Sequence, residues 1–214
     1  MINQWRSDFA SPTAFFGFVL LEPWISGFTR THLSVFREEQ LAALKLANVA
    51  YAIGTDIGDP LGPFGSVHPR NKKVVGRRLA NAALSLQYGA EQMPWQPPAY
   101  VSAVASGTGA LATATVTLSN VPTALVTRAD HCATEYKVDP AQCAGFYLVG
   151  TDGIQYTATA TLGGASNAVL LAAALPAGVA VNATTFGYST WPINTIATAE
   201  GLPLLPWDVT AVAA

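Results

Sequence analysis

The residue in this sequence best suited to acid–base chemistry is His68, because an imidazole titrates near neutral pH. It lies in a glycine-rich stretch that runs from Gly54 to Lys73 and carries Asp56, Gly58, Asp59, Gly62, Gly65 and Ser66 before it, and Pro69, Arg70, Asn71 and Lys72 after it. A histidine presented by such a loop can act as a general base: it takes the proton of a serine hydroxyl and later returns it to a leaving alkoxide. A carboxylate must hold the ring in the right tautomer, and Asp59 and Asp56 stand in the same stretch. A plainer reading of the same residues exists. A histidine before proline can cap the following helix, with Pro69 close to its first turn, and Asp56 and Asp59 can be turn residues that satisfy backbone amides.

The elements around this stretch would position it. Phe15–Leu21 is an apolar, aromatic-rich run between Pro12 and Pro23, and Asn48–Thr55 is a second short apolar run; both read as buried strands. Leu33, Phe36, Leu41 and Leu44 recur at near-helical spacing with Arg37, Glu38, Glu39 and Lys45 between them. Asn71–Tyr88 reads as a helix whose apolar face is Val74, Val75, Leu79, Ala82, Ala83 and Leu86, with Lys72, Lys73, Arg77 and Arg78 largely off it, and Gly89 as its left-handed terminator. Met1–Arg6 reads as the middle of a helix. Strand, helix, strand, loop and helix in this order imply an α/β layer with parallel strands. In such sheets ligands bind at the carboxyl ends of the strands, where the Gly54–Lys73 loop lies.

A boundary falls at Met93-Pro94-Trp95-Gln96-Pro97-Pro98, where prolines stop a helix and favour extended chain. Nine of the eleven Lys and Arg residues precede it; Arg128 and Lys137 follow. Beyond it Leu111–Leu118, Gln155–Leu162 and Val179–Ser189 alternate with period two between Gly-, Asn- and Asp-bearing turns, the pattern of antiparallel strands in a small β-sandwich. The expected organisation is residues 1–95 as the α/β part and 96–214 as the β part, with the tail Gly201–Trp207 returning to pack on the first.

Composition bounds the function. Only 11% of the 214 residues are charged, well below the roughly 25% usual in soluble domains, which fits an extracytoplasmic protein. A net charge of −2 gives no bulk attraction for nucleic acid. The longest apolar run, Ala168–Ala180, contains Pro176 and Gly178 and is shorter than the roughly 20 residues of a membrane span. Cys132 and Cys143 read either as a disulfide or as two separate thiols, and His131 alone does not complete a metal site. The triplet Asn182-Ala183-Thr184 is a glycosylation acceptor.

The block Asp56-Ile57-Gly58-Asp59, His68-Pro69-Arg70-Asn71-Lys72 and Tyr88-Gly89 resembles the conserved block of the sialate O-acetylesterase family within the SGNH-type serine esterases. Its flanks do so too: Met1–Arg6 ending in Trp5-Arg6, Phe16-Gly17-Phe18-Val19-Leu20-Leu21, Arg37-Glu38-Glu39-Gln40, and Gly201-Leu202-Pro203-Leu204-Leu205-Pro206-Trp207. The resemblance implies the C-terminal part of an SGNH-type layer with parallel strands, followed by an antiparallel β-sandwich. It implies hydrolysis of acetyl esters on sialic acids or other sugars by serine–histidine catalysis, with no metal or organic cofactor, in an extracellular or lysosomal setting.

Within that resemblance His68 is the catalytic base, Asp59 and Asp56 are its candidate orienting carboxylates, and Arg37 and Gln40 are candidate substrate neighbours. Many relatives carry Asp three residues before the histidine, whereas Gly65 stands there in this chain. The family's serine lies upstream in a Gly-x-Ser-Asn motif, and none precedes the His68 block here; Ser66 has nothing that marks it as a replacement. The expectation is a chain that contributes the base but has no meaningful esterase activity alone, since loss of a triad nucleophile removes several orders of magnitude in rate. The other reading is a non-catalytic glycan-binding or interaction module derived from the same fold.

Overall fold

The computed structural model describes residues 1–25, 30–128 and 143–212. In chain order the elements are α1 (Ile2–Asp8), β1 (Phe16–Val19), α2 (Arg30–Leu41), β2 (Val49–Ala52), α3 (Lys72–Gln87), β3 (Ala99–Ser106), β4 (Ala112–Ser119), β5 (Leu125–Thr127), β6 (Cys143–Ala144), β7 (Phe146–Gly150), β8 (Gln155–Leu162), β9 (Ala168–Ala173), β10 (Val181–Phe186), β11 (Trp191–Pro192), β12 (Ile196–Thr198) and β13 (Trp207–Ala211). A 3-10 turn, Ala42–Lys45, extends α2.

β1 and β2 pair in parallel, Phe16 beside Val49 through Val19 beside Ala52, and α3 packs against both. All four residues of β2 are buried, which explains why it reads as an unbroken apolar run rather than an alternating one. Leu20, Tyr51 and Ile53 form the core of this layer, and Leu202 from the far end of the chain joins them. The parallel pairing is two strands wide among the described residues; the rest of the strand structure is predominantly antiparallel.

The main sheet has seven strands in the order β13-β10-β7-β8-β9-β4-β3. Its alternation is what the Thr- and Ala-rich sequence prescribes: Ala112, Ala114, Val116 and Leu118 of β4 face inward while the intervening Thr side chains face out. β3 and β13 stand at opposite ends of this sheet, yet the rings of Tyr100 and Trp207 lie 5.5 Å apart. The sheet therefore curls over a core that includes Leu148, Leu171, Phe186 and Trp207. What reads as two sandwich layers is one continuous sheet folded on itself. The sequence reading also leaves β3, β7, β9 and β13 unassigned; β9 is the apolar run Ala168–Ala173, which shows no polar alternation although Leu170 is exposed.

Both long helices turn a polar side chain inward. In α2, Phe36 is 52% exposed, contrary to its expected place on the inner face, while Leu33, Ser34 and Arg37 are buried. In α3, Arg78 is 4% exposed and lies on one stripe with Val75 and Ala82, so its placement off the apolar face is corrected. Position decides this: residues three and four apart share a helical face whatever their polarity. Gly89 has φ +69°, the left-handed conformation expected after α3.

Arg37 holds separate parts of the chain together. Its guanidinium donates to the carbonyls of Leu21 (2.7 Å) and Glu22 (3.2 Å) behind β1, and to those of Ser189 (2.7 Å) and Thr190 (3.4 Å) before β11. Burial lowers its pKa to about 9, which leaves it protonated at neutral pH. An Arg37→Met substitution keeps the volume but takes the guanidinium from all four carbonyls, of which those of Leu21 and Glu22 have no other donor among the described residues. It is expected to lower stability by about 3–5 kcal/mol, read as a shift in the urea unfolding midpoint, whereas Phe36→Ser at the neighbouring exposed position changes it little.

Candidate functional site

The site is built where β1 and β2 end. β1 continues through Leu20, whose amide donates to the Ala52 carbonyl, and turns away at Glu22 and Pro23. β2 runs on through Ile53 to Gly54, Thr55 and Asp56. Two glycines let the chain close over the strand ends. A Cβ on Gly54 would sit 2.6 Å from Glu22 Cγ, and one on Gly58 2.5 Å from the Trp191 ring, so side chains at either position would push that covering chain away.

From Asp59 to His68 the loop is a ladder of tight turns. Gly62 N–H donates to Asp59 O, Gly65 N–H to Gly62 O, and His68 N–H to Gly65 O, at 2.9–3.1 Å, while Asp59 N–H closes the loop on Ser66 O. Gly65 has φ +93°, a conformation that a side chain would strain. Ser66 Oγ is buried and accepts the Ile25 amide hydrogen at 2.8 Å, fastening the loop to the chain beyond β1. That bond makes Ser66 a structural residue. Pro69 is buried, and His68 between these anchors is exposed. The helix that follows begins at Lys72 with Asn71 as its cap, so His68 does not cap it.

The two carboxylates are each bonded to arginine rather than to His68. Asp59 forms a two-point pair with Arg70, Oδ2 with Nε at 2.6 Å and Oδ1 with Nη2 at 3.0 Å. The hydrogen bonds from Arg70 hold the Asp59 carboxyl below its ordinary range. Asp56 is buried between two arginines. Arg78 Nη1 and Nη2 reach its two oxygens at 2.7 and 2.9 Å, and Arg128 Nη1 reaches Oδ2 at 3.1 Å. Arg78 also donates to Ile53 O and Gly201 O, both at 2.7 Å. An open pocket of about 620 Å3 lies beside these groups, lined by Asp56, Asp59, Arg70, Arg77, Arg78 and Arg128 among others.

Arg37 and Gln40 stand apart from this loop's polar groups and are bonded to main chain. Gln40 accepts from Leu21 N–H (2.9 Å) and donates to Val19 O (3.0 Å), completing the hydrogen bonding of the strand edge. His32 is in α2; His131 and Cys132 lie outside the described residues, and Cys143 is disulfide-bonded. Among the described residues no three His, Cys, Asp or Glu side chains converge as a metal site, and no helix is long and apolar enough to cross a membrane.

A Gly-x-Ser-Asn string does occur downstream, Gly164-Ala165-Ser166-Asn167, and the structure gives it a local role. It forms the turn between antiparallel β8 and β9, where Asn167 Nδ2 donates to Leu118 O and Asn167 O accepts from Leu118 N–H.

The sequence reading missed three polar groups here. Arg78 was legible from its spacing to Val75 and Ala82. Arg128 carries no local signal, since it reaches Asp56 from 72 positions away. Glu22 has a side chain only 7% exposed and lies 3.5 Å from Lys72 Nζ.

No family profile matches the chain. Sialate O-acetylesterases of Homo sapiens, Pongo abelii and Mus musculus are each 39% identical to it over 54 residues, 25% of this chain and 10% of theirs. A carbohydrate acetylesterase from Xanthomonas citri, known from its crystal structure, superposes on 97% of this chain with a TM-score of 0.74 and 27% identity. The chain is thus similar to sialate O-acetylesterases over a short stretch and to a carbohydrate acetylesterase in its fold. It spans less than half of the bacterial acetylesterase, 44%, and the matched stretch is a tenth of each mammalian enzyme. The likeness extends through the curled antiparallel sheet, not only through the His68 loop.

Glu22 makes a pH-dependent prediction. Burial raises its carboxyl above the ordinary value of 4.5, and the Lys72 ammonium opposes that rise only partly. The folded state therefore binds the Glu22 proton more tightly than the unfolded chain does. Its contribution makes stability fall as pH rises from about 4.5 through the raised folded value. Glu22→Gln is expected to flatten this slope and to raise the melting temperature at pH 7 relative to the parent, with the difference vanishing near pH 4.

Proposed function

We propose that this chain supplies the histidine base of a serine carbohydrate O-acetylesterase acting on acetyl esters of sialic acids or other sugars. The observation that carries the reading is His68: an exposed imidazole on a loop fixed by four main-chain bonds and the Ser66 anchor, at the carboxyl end of parallel strands. A general base needs this combination of access and fixed position. The acetylesterase likeness in sequence and fold supports the same chemistry.

In this mechanism His68 removes the proton of a serine hydroxyl as the oxygen attacks the acetyl carbonyl. It then gives that proton to the sugar oxygen as the C–O bond breaks. Water, deprotonated by the same imidazole, then attacks the acetyl-enzyme, and the imidazolium returns the proton to the serine oxygen as the acetyl C–O bond breaks and acetate leaves. In this reading the chain contributes the base and not the serine, so that alone it has no meaningful activity. Of the two carboxylates, Asp59 is the one able to turn to the imidazole, because its pair with Arg70 is at the surface. Asp56 is enclosed by Arg78 and Arg128 and serves the fold. The low charge content and the disulfide at Cys143 fit an extracellular or lysosomal setting.

In the intact protein, His68→Ala is expected to lower kcat/KM for acetate release from an O-acetylated sugar by about 10^3-fold or more, with unchanged thermal unfolding. A variant within a few-fold of the parent would sink the assignment. Asp59→Asn is expected to lower kcat at constant melting temperature, and Asp56→Asn to lower the melting temperature. Ser166→Ala in the β8–β9 turn leaves both unchanged.

A further inference from the structure

A second pocket, of about 530 Å3, lies at the other end of α3, between Ser85, the loop Glu91–Gln96 and the β4–β5 turn at Asn120–Pro122. α3 has 16 residues, which at about 1.5 Å each puts its two ends roughly 24 Å apart. This pocket is therefore remote from His68, which precedes the helix.

Its walls are fixed. Asn81 Nδ2 on α3 donates to Pro94 O at 3.3 Å, and Asn120 Nδ2 donates to Pro97 O at 3.2 Å, so the proline-rich loop is tied on both sides. Trp95 stands with its ring edge-on to Tyr51, centroids 6.1 Å apart, packed against the α/β core and only partly buried. The remaining lining mixes apolar Met93, Pro94, Val121 and Pro122 with polar groups, three of which are unengaged. Glu91, Gln92 and Gln96 are exposed, and their side chains form no hydrogen bond or ion pair among the described residues.

We infer that this pocket is a second carbohydrate site that binds a neutral saccharide away from the reaction centre. An indole held at a fixed angle offers an apolar face to the C–H surface of a sugar ring, at little entropic cost. Planar amides and a carboxylate donate to and accept from hydroxyl groups on adjacent ring carbons. A pocket of this volume falls within the range that encloses a small ligand. Its one charged lining group is the Glu91 carboxylate, which disfavours acidic sugars; the arginine-lined pocket beside Asp56 has the opposite character. Such a site holds a polymeric or branched substrate on the protein between turnovers, and it does not depend on the assignment of His68.

The test is a titration of the intact protein with cellohexaose, xylohexaose and mannohexaose, and with oligogalacturonate as the acidic comparison, followed by heteronuclear NMR. The expected result is saturable shifts confined to Ser85, Glu91–Gln96 and Asn120–Pro122 with at least one neutral hexasaccharide, and weaker binding of the acidic one. In Gln92→Ala/Gln96→Ala, whose exposed side chains hold nothing in the fold, the dissociation constant should rise at least about tenfold with unchanged melting temperature. Trp95→Phe should weaken binding while keeping the same map of shifts. Absence of saturable shifts with all three neutral sugars overturns the inference. So do shifts mapping to the Asp56–Arg77 pocket, or affinity unchanged in the double variant; none of these results bears on the His68 assignment.

Discussion

A buried guanidinium needs partners for its donors, and the one at Arg78 finds four of them at the junction of three stretches of chain. It bonds the Asp56 carboxylate and the Ile53 carbonyl at the end of β2, and the Gly201 carbonyl from the end of the chain. Arg128 adds a second cation to Asp56 from the edge of β5. In a buried pair the mutual attraction roughly balances the cost of leaving water, so its net stabilisation is small. Removing one partner, however, leaves an uncompensated charge and is costly. The cluster therefore acts as a condition on geometry: the loop that begins at Asp56 has one place to start when these groups are satisfied.

Arg37 imposes a similar condition on the other side of the strands, through four carbonyls instead of a carboxylate. Together the two arginines fix how the chain leaves β1 and β2 and how residues 189–201 lie across those ends. Trp191 against Gly58 and Leu202 against Leu20 fill the space between with apolar contacts. His68 gains its fixed position from these contacts without touching either arginine. Buried groups thus set the frame of the loop, and the imidazole stands exposed upon it.

The two pockets differ because of the same frame. Arg78, brought inward to Asp56, together with Arg70, Arg77 and Arg128 leaves the pocket beside them rich in positive charge, whereas the loop after α3 carries Gln92, Gln96 and Trp95 and a single carboxylate. A low overall charge makes this contrast sharper, since few other ionised groups blur it.

By itself the sequence determined the local elements and singled out His68 as the candidate for acid–base chemistry. The helix over α3 was legible in its apolar spacing and in Gly89. β4 and β8 were legible in their alternation of Thr with Ala and Val, and His68 in the glycine- and proline-rich run that presents it. These are short-range signals, encoded by neighbours within a few positions. Tertiary structure alone decided that Phe36 faces solvent and that the two sandwich layers are one curled sheet closed by Tyr100 against Trp207. It also decided that Asp56 and Asp59 bind arginines. The reason is physical: a buried charge takes its partner from wherever the fold brings one, and Arg128 comes to Asp56 from 72 residues along the chain, a distance no periodicity records.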